Sequence, residues 1–170
     1  MKSKIWLLVI ITFGLACGAL GQAAQKPSFD GAWTMDRARS FGMPADMQQS
    51  MTVKQDGDRI ELETKIITAK GETSIKDSYL IDGQEHDFIP QGNSGPIPNS
   101  KGKRKANWLP NGKGIMVEEV STVETEKGSV TNHLTRKWII SGDGELTIDL
   151  YYDVPAGSFE TKRIFTRKNL

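Results

Sequence analysis

The chain has 170 residues, with 22 basic and 21 acidic side chains and a formal net charge of +1. That length suits one domain able to bury its own core, and near-neutrality argues against nucleic acid as a main partner. Cys17 is the one cysteine, which excludes a disulfide framework, so stability must come from packing.

At the start, Lys2 and Lys4 precede the apolar run 5–16, and small residues follow through Ala24. Basic, then apolar, then small is the order of a secretory signal, and the run is short for a membrane span. Cleavage after Gly21 or Ala23 is expected. Residues 1–24 are therefore read as a signal peptide and 25–170 as a single exported domain, periplasmic or secreted, with no transmembrane anchor in the mature chain. Losing those 24 residues removes two lysines and no acid, which leaves 20 bases against 21 acids and a net charge of −1. Cys17, behind Gly14-Leu15-Ala16, keeps lipid anchoring as the alternative.

From Trp33 onward apolar and polar residues alternate with period two, the pattern of half-buried strands. Strands are predicted at 33–35, 50–54, 59–67, 72–81, 84–89, 103–109, 115–123, 129–140, 145–153 and 158–167. Turn chemistry joins them, as at Asp56-Gly57-Asp58, Lys70-Gly71 and Asp82-Gly83. Consecutive hairpins with the first strand closing on the last predict an all-β, antiparallel up-and-down barrel of about 8–10 strands without exposed edges. Two connections break the rhythm. Segment 37–49 is expected to cross the barrel end, with Pro44 suited to a short helix there. Segment 91–102, rich in Pro and Gly, is expected to form a rim without helix or strand.

The opening Gly31-Ala32-Trp33 on the first strand of such a barrel resembles the lipocalin and calycin superfamily, which carries a G-x-W motif at the closed end. The stretch from Phe29 to Asp36, followed by Ala38-Arg39-Ser40-Phe41-Gly42, is also similar to a group of small secreted bacterial proteins. The resemblance implies that Trp33 packs beneath an arginine of the last strand. Arg167 matches, since Arg163 would lie about four residues, roughly 13 Å, further along the barrel. Gly31, Trp33 and Arg167 are thus a structural signature. The absence of a disulfide and the strand number are closer to fatty-acid-binding proteins, where internal arginines and a tyrosine hold a ligand carboxylate.

Parity then sorts the interior. Val130, Asn132, Leu134, Arg136, Trp138 and Ile140 share one face. Phe159, Thr161, Arg163, Phe165 and Arg167 share another, as do Ile75, Asp77, Tyr79 and Ile81; Arg104, Ala106 and Trp108 form a fourth set. Buried arginines need anionic partners. Asp77 or Glu119 could supply them from within the protein, or a ligand could. The ligand-binding candidates are Arg136, Arg163, Tyr79, Trp108, Trp138 and Arg104, and the expected partner is a small hydrophobic or amphipathic molecule with an anionic end.

A catalytic reading has little to stand on. Glu118 and Glu119 are adjacent, point to opposite faces of a strand and read as a solvated edge. His86 and His133 fall on separate strands with no metal-ligand spacing, so no metal or other cofactor is expected. The run Lys101, Lys103, Arg104, Lys105 reads as protection of a strand edge. The alternative function is a protein-interaction module using rim loops, anchored by Met43 and Ile97.

Overall fold

The computed structural model describes residues 26–92 and 95–168; the expected signal segment and Cys17 lie outside them. Among the described residues there are twelve strands and no helix. They are β1 (Gly31–Met35), β2 (Gln48–Asp56), β3 (Arg59–Thr68), β4 (Gly71–Leu80), β5 (Glu85–Phe88), β6 (Gln91–Gly92), β7 (Gly95–Pro96), β8 (Ser100–Trp108), β9 (Gly114–Thr125), β10 (Gly128–Ile140), β11 (Leu146–Val154) and β12 (Gly157–Arg167). Ten of them form one antiparallel sheet in the order β4-β3-β2-β1-β12-β11-β10-β9-β8-β5, and β6 pairs with β7 in a small separate hairpin.

The sheet curls because alternation gives it one apolar face. Val53, Leu62, Tyr79, Ala106, Val117, Trp138, Leu150 and Phe165 come from eight strands and meet in one core. Within it Phe29, Trp33, Trp138 and Phe165 have lost essentially all contact with solvent. Phe29 meets Trp138 edge-on at 5.7 Å and stacks on Trp108 at 6.2 Å, arrangements favoured by the ring quadrupole. Its backbone carbonyl accepts the Trp33 indole N–H at 2.9 Å, so the buried tryptophan keeps its polar atom satisfied.

The first and last strands do pair, with Trp33 opposite Arg167 and Met35 opposite Phe165. This junction sits in the middle of the sheet and does not abolish its edges, contrary to the expectation from consecutive hairpins. The free edges are β4 and β5. Asp82-Gly83 is a corner between them, not a hairpin turn. The Ile81 N–H donates to the Asp58 carbonyl at 2.7 Å, while the next-but-one donor, Gly83 N–H, reaches the Ala106 carbonyl at 3.0 Å. The chain therefore leaves β3 and crosses to β8. Asp82 holds the corner by accepting the Gln84 N–H at 2.8 Å and standing 2.9 Å from His86 Nε2.

Other boundaries shift for similar reasons. The 37–49 connection contains no helix; Phe41 bridges to Lys162, and Gln48 already belongs to β2. Segment 91–102, expected to lack strands, holds the β6–β7 hairpin and the start of β8. Lys103 and Lys105 guard no edge, because β5 covers β8 there and Lys103 stands 2.9 Å from Asp87.

Candidate functional site

Where β4 and β8 approach without a backbone ladder, a cluster of charged side chains closes the barrel. Arg104 of β8 is 7% exposed. Its guanidinium donates to both carboxylate oxygens of Asp77 at 2.7 and 2.9 Å, to the Ser78 carbonyl at 2.7 Å and to Glu119 at 2.6 Å. It also lies 4.1 Å from the Phe88 ring and 4.7 Å from that of Tyr79. Phe88 can lie there because its neighbour across the ladder is Gly102, where a Cβ would come within 2.3 Å of the ring. Burial works against the Arg104 charge. The surrounding anions, led by Glu119, more than offset it, so its pKa lies above the ordinary arginine value.

Glu119 is the anion shared by two cations. It lies opposite Arg104 on β8 and also accepts a hydrogen bond from Arg136 Nη1 on β10. At 6% exposure it is buried, which corrects its reading as part of a solvated edge. Glu118 remains outside, as strand alternation requires. Arg136 Nη1 also approaches the Tyr79 hydroxyl at 3.4 Å. Desolvation opposes the Arg136 charge, yet the carboxylates of Glu119 and Asp77 leave its pKa raised. Burial pushes the Tyr79 phenol up, so it stays neutral.

Arg163 of β12 differs from both. Its Nη1 donates to the Gln49 side-chain oxygen at 2.9 Å, its Nε is buried without a partner, and no carboxylate pairs with it among the described residues. Desolvation lowers its pKa and the nearby Arg136 charge adds to that effect, while Tyr152 works in the opposite direction. Three inward arginines thus face two inward carboxylates.

A hollow of about 700 Å³ lies between the β4 edge and β5, lined by Lys76, Asp77, Ser78, His86, Phe88 and Arg104, and two further, connected hollows lie against the inward groups. One, of about 210 Å³, is lined by Gln49, Met51, Tyr79, Arg136, Trp138, Leu150, Tyr152 and Arg163. The other, of about 370 Å³, runs toward the β6–β7 hairpin past Phe88, Ile97, Arg104, Glu119, Asn132 and Tyr152. They share Ile75, Asp77, Arg136 and Tyr152.

Of the residues singled out from sequence, Arg104, Arg136, Arg163, Tyr79 and Trp138 all line this space. Trp108 does not. Its ring stacks on Phe29 beneath Lys26, and its indole N–H is held by Asp58 at 2.8 Å, so it belongs to the closed end. Met43 and Ile97 are half-buried, Met43 against the core and Ile97 beside the cavity, so neither stands out as a rim anchor. Tyr152 and Gln49 were missed. Parity with Leu150 would have found Tyr152, and starting β2 one residue earlier would have placed Gln49 on the face of Met51. At the opposite end, Arg167 lies 4.7 Å above the Trp33 ring and donates to the Ser28 carbonyl at 3.2 Å. Gly31 beside it has φ +127°, and a Cβ there would meet Arg167 at 3.5 Å.

No protein-family model and no curated protein matches the chain. Among solved structures it is similar to zebrafish ileal bile acid-binding protein complexed with cholic acid. That match has 15% identity and a TM-score of 0.50, and covers 82% of this chain and 98% of that one. Secretory abundant heat soluble protein 4 from Ramazzottius varieornatus is similar at 10% identity and a TM-score of 0.47, covering 82% and 94% respectively. The first likeness shows a calycin-like β-barrel fold.

Proposed function

We propose that the barrel binds a small amphipathic molecule carrying one negative charge, with its anionic end at Arg163 and its apolar body along Met51, Trp138 and Leu150. The observation that carries this reading is the unequal treatment of the three inward arginines. Arg104 and Arg136 are neutralised by Asp77 and Glu119, whereas Arg163 has no carboxylate and meets only the neutral Gln49 and Tyr152. A half-buried cation without an anion is costly, and a ligand carboxylate or sulfonate entering beside it restores the balance. Tyr152 is placed to add a hydroxyl on the same side. The bile-acid complex of the similar zebrafish protein agrees with a ligand of this kind.

Binding without catalysis is the role this site supports. His86 is engaged with Asp82, and His133 is exposed on β10. Export to the periplasm or beyond belongs to the same proposal. It rests on the basic and apolar start of the chain and on the resemblance to small secreted bacterial barrels.

Titration with anilinonaphthalene sulfonate and with decanoate, each an amphipathic monoanion, tests the site. Arg163→Gln should weaken both by about tenfold or more, since a charge-assisted hydrogen bond contributes about 1.5–3 kcal/mol. Arg136→Gln should weaken them less. Unchanged affinity in both variants would remove the head-group site.

A further inference from the structure

The outer edge of β4 is unpaired among the described residues. Two hydrogen bonds fix which of its backbone groups point outward. The Ile81 N–H, just past the strand, turns toward β3 and bonds the Asp58 carbonyl, whereas the Ser78 carbonyl turns away from β3 and receives Arg104. Alternation then directs the N–H and C=O of Glu72, Ser74 and Lys76 away from β3 as well. Among the described residues β4 pairs only with β3, and neither β5 nor the β6–β7 hairpin pairs with it. Arg104 caps the lower part of this edge at Ser78, Lys76 lines the hollow facing β5, and the stretch from Glu72 to Lys76 has no backbone partner on this side among the described residues. That stretch has no proline, and the inward-pointing charge beside it, Asp77, is already neutralised by Arg104. The usual protections of a free edge are thus reduced to Lys76.

We infer that this edge is a self-association surface, on which a second copy of the chain adds its own β4 antiparallel about a two-fold axis at Ser74. Charge selects the register. With the axis at Ser74, Glu72 of each copy faces Lys76 of the other, and Ser74 faces Ser74. With the axis at Thr73, Glu72 would face Ser74 and Lys76 would meet the Ala69-Lys70 turn, so neither charge finds an opposite one. An axis at Lys76 would set the two Lys76 side chains together, and one at Ile75 would pair neither charge. A slip by one residue would oppose outward and inward side chains. The Ser74 register makes about six backbone hydrogen bonds and two ion pairs between copies. Glu72 already stands 2.8 Å from Lys65 of β3, so an incoming Lys76 would join an existing exposed pair. The contact is small beside a stable interface of about 1,200–2,000 Å², so the dimer dissociates on dilution.

Sedimentation velocity over a concentration series on the purified chain tests this, with circular dichroism confirming the fold of each variant. The wild type is expected to pass from monomer to dimer as concentration rises. Lys76→Glu, which sets like charges together twice, should hold the chain monomeric, and Ser74→Pro, which removes the central donor, should do the same. The exchange Glu72→Lys with Lys76→Glu should restore the dimer, an outcome that general loss of stability would not produce. A wild type that stays monomeric throughout, or a dimer indifferent to Lys76→Glu, would overturn the proposal and leave the edge to a partner of other chemistry.

Discussion

The barrel is joined twice across long stretches of sequence, and the two junctions use different bonds. Between β1 and β12 the joint is a backbone ladder, with Trp33 opposite Arg167 and a dry aromatic cluster beneath it. Between β4 and β8 it is a set of side chains centred on Arg104, which reaches Asp77, Ser78 and Glu119. A ladder spreads the load over many residues and holds the chain whatever its side chains. A charged knot concentrates it in one guanidinium, and it leaves room beside it for a cavity and a free edge. The side-chain junction is therefore where self-association is expected, and the ladder junction is where stability is expected to be distributed.

Arg104→Ala should break this contrast most sharply. It leaves Asp77 and Glu119 with fewer partners in a buried setting, and removing one member of a buried pair costs about 3–5 kcal/mol. Urea unfolding would register the loss, and a change below 1 kcal/mol would mean the knot does not close the barrel. At the other junction Gly31→Ala should cost about 1–3 kcal/mol, since a φ of +127° strains any residue with a Cβ. Thermal unfolding would read it, and a neutral result would mean that β1 re-forms around the new methyl. Arg167→Ala should remove only about 0.5–1 kcal/mol, the size of an exposed cation–aromatic contact, because the ladder beneath remains. Equal losses from Arg167→Ala and Arg104→Ala would erase the distinction.

The smallest effect concerns pH. The Trp108 indole and then Lys26 hold the Asp58 carboxyl below its ordinary value of 3.8. A folded-state pKa below the unfolded one contributes stability that is present above the unfolded value and is lost as pH falls through the folded one. Asp58→Asn should therefore lower stability slightly at neutral pH and flatten its decline below about pH 3.8. Denaturation curves at both pH values would check the sign, and a decline as steep as in the wild type would assign it to other carboxylates.

Much of the fold was legible because alternation is a local property. Val130, Leu134, Arg136 and Trp138 could be placed on one face from their spacing, and Arg104 with Ala106 likewise. The first and last strands could be matched for the same reason, since Arg167 was the arginine at the right height for Trp33. What stayed hidden was every choice between distant partners. Asp82-Gly83 has the composition of a hairpin turn, and only the reach of Gly83 N–H to the Ala106 carbonyl makes it a corner. Glu118 and Glu119 look alike in sequence, and burial of one follows from facing two arginines on neighbouring strands.

From the sequence by itself came the all-β class, the inward and outward sets and the presence of arginines inside, because side-chain direction on a strand depends on position along the chain and nothing else. Tertiary structure alone decided which arginine is left without a carboxylate and where the sheet opens. Those outcomes depend on which charged and hydrogen-bonding groups the fold brings together, such as Asp77 and Arg104, which lie 27 positions apart.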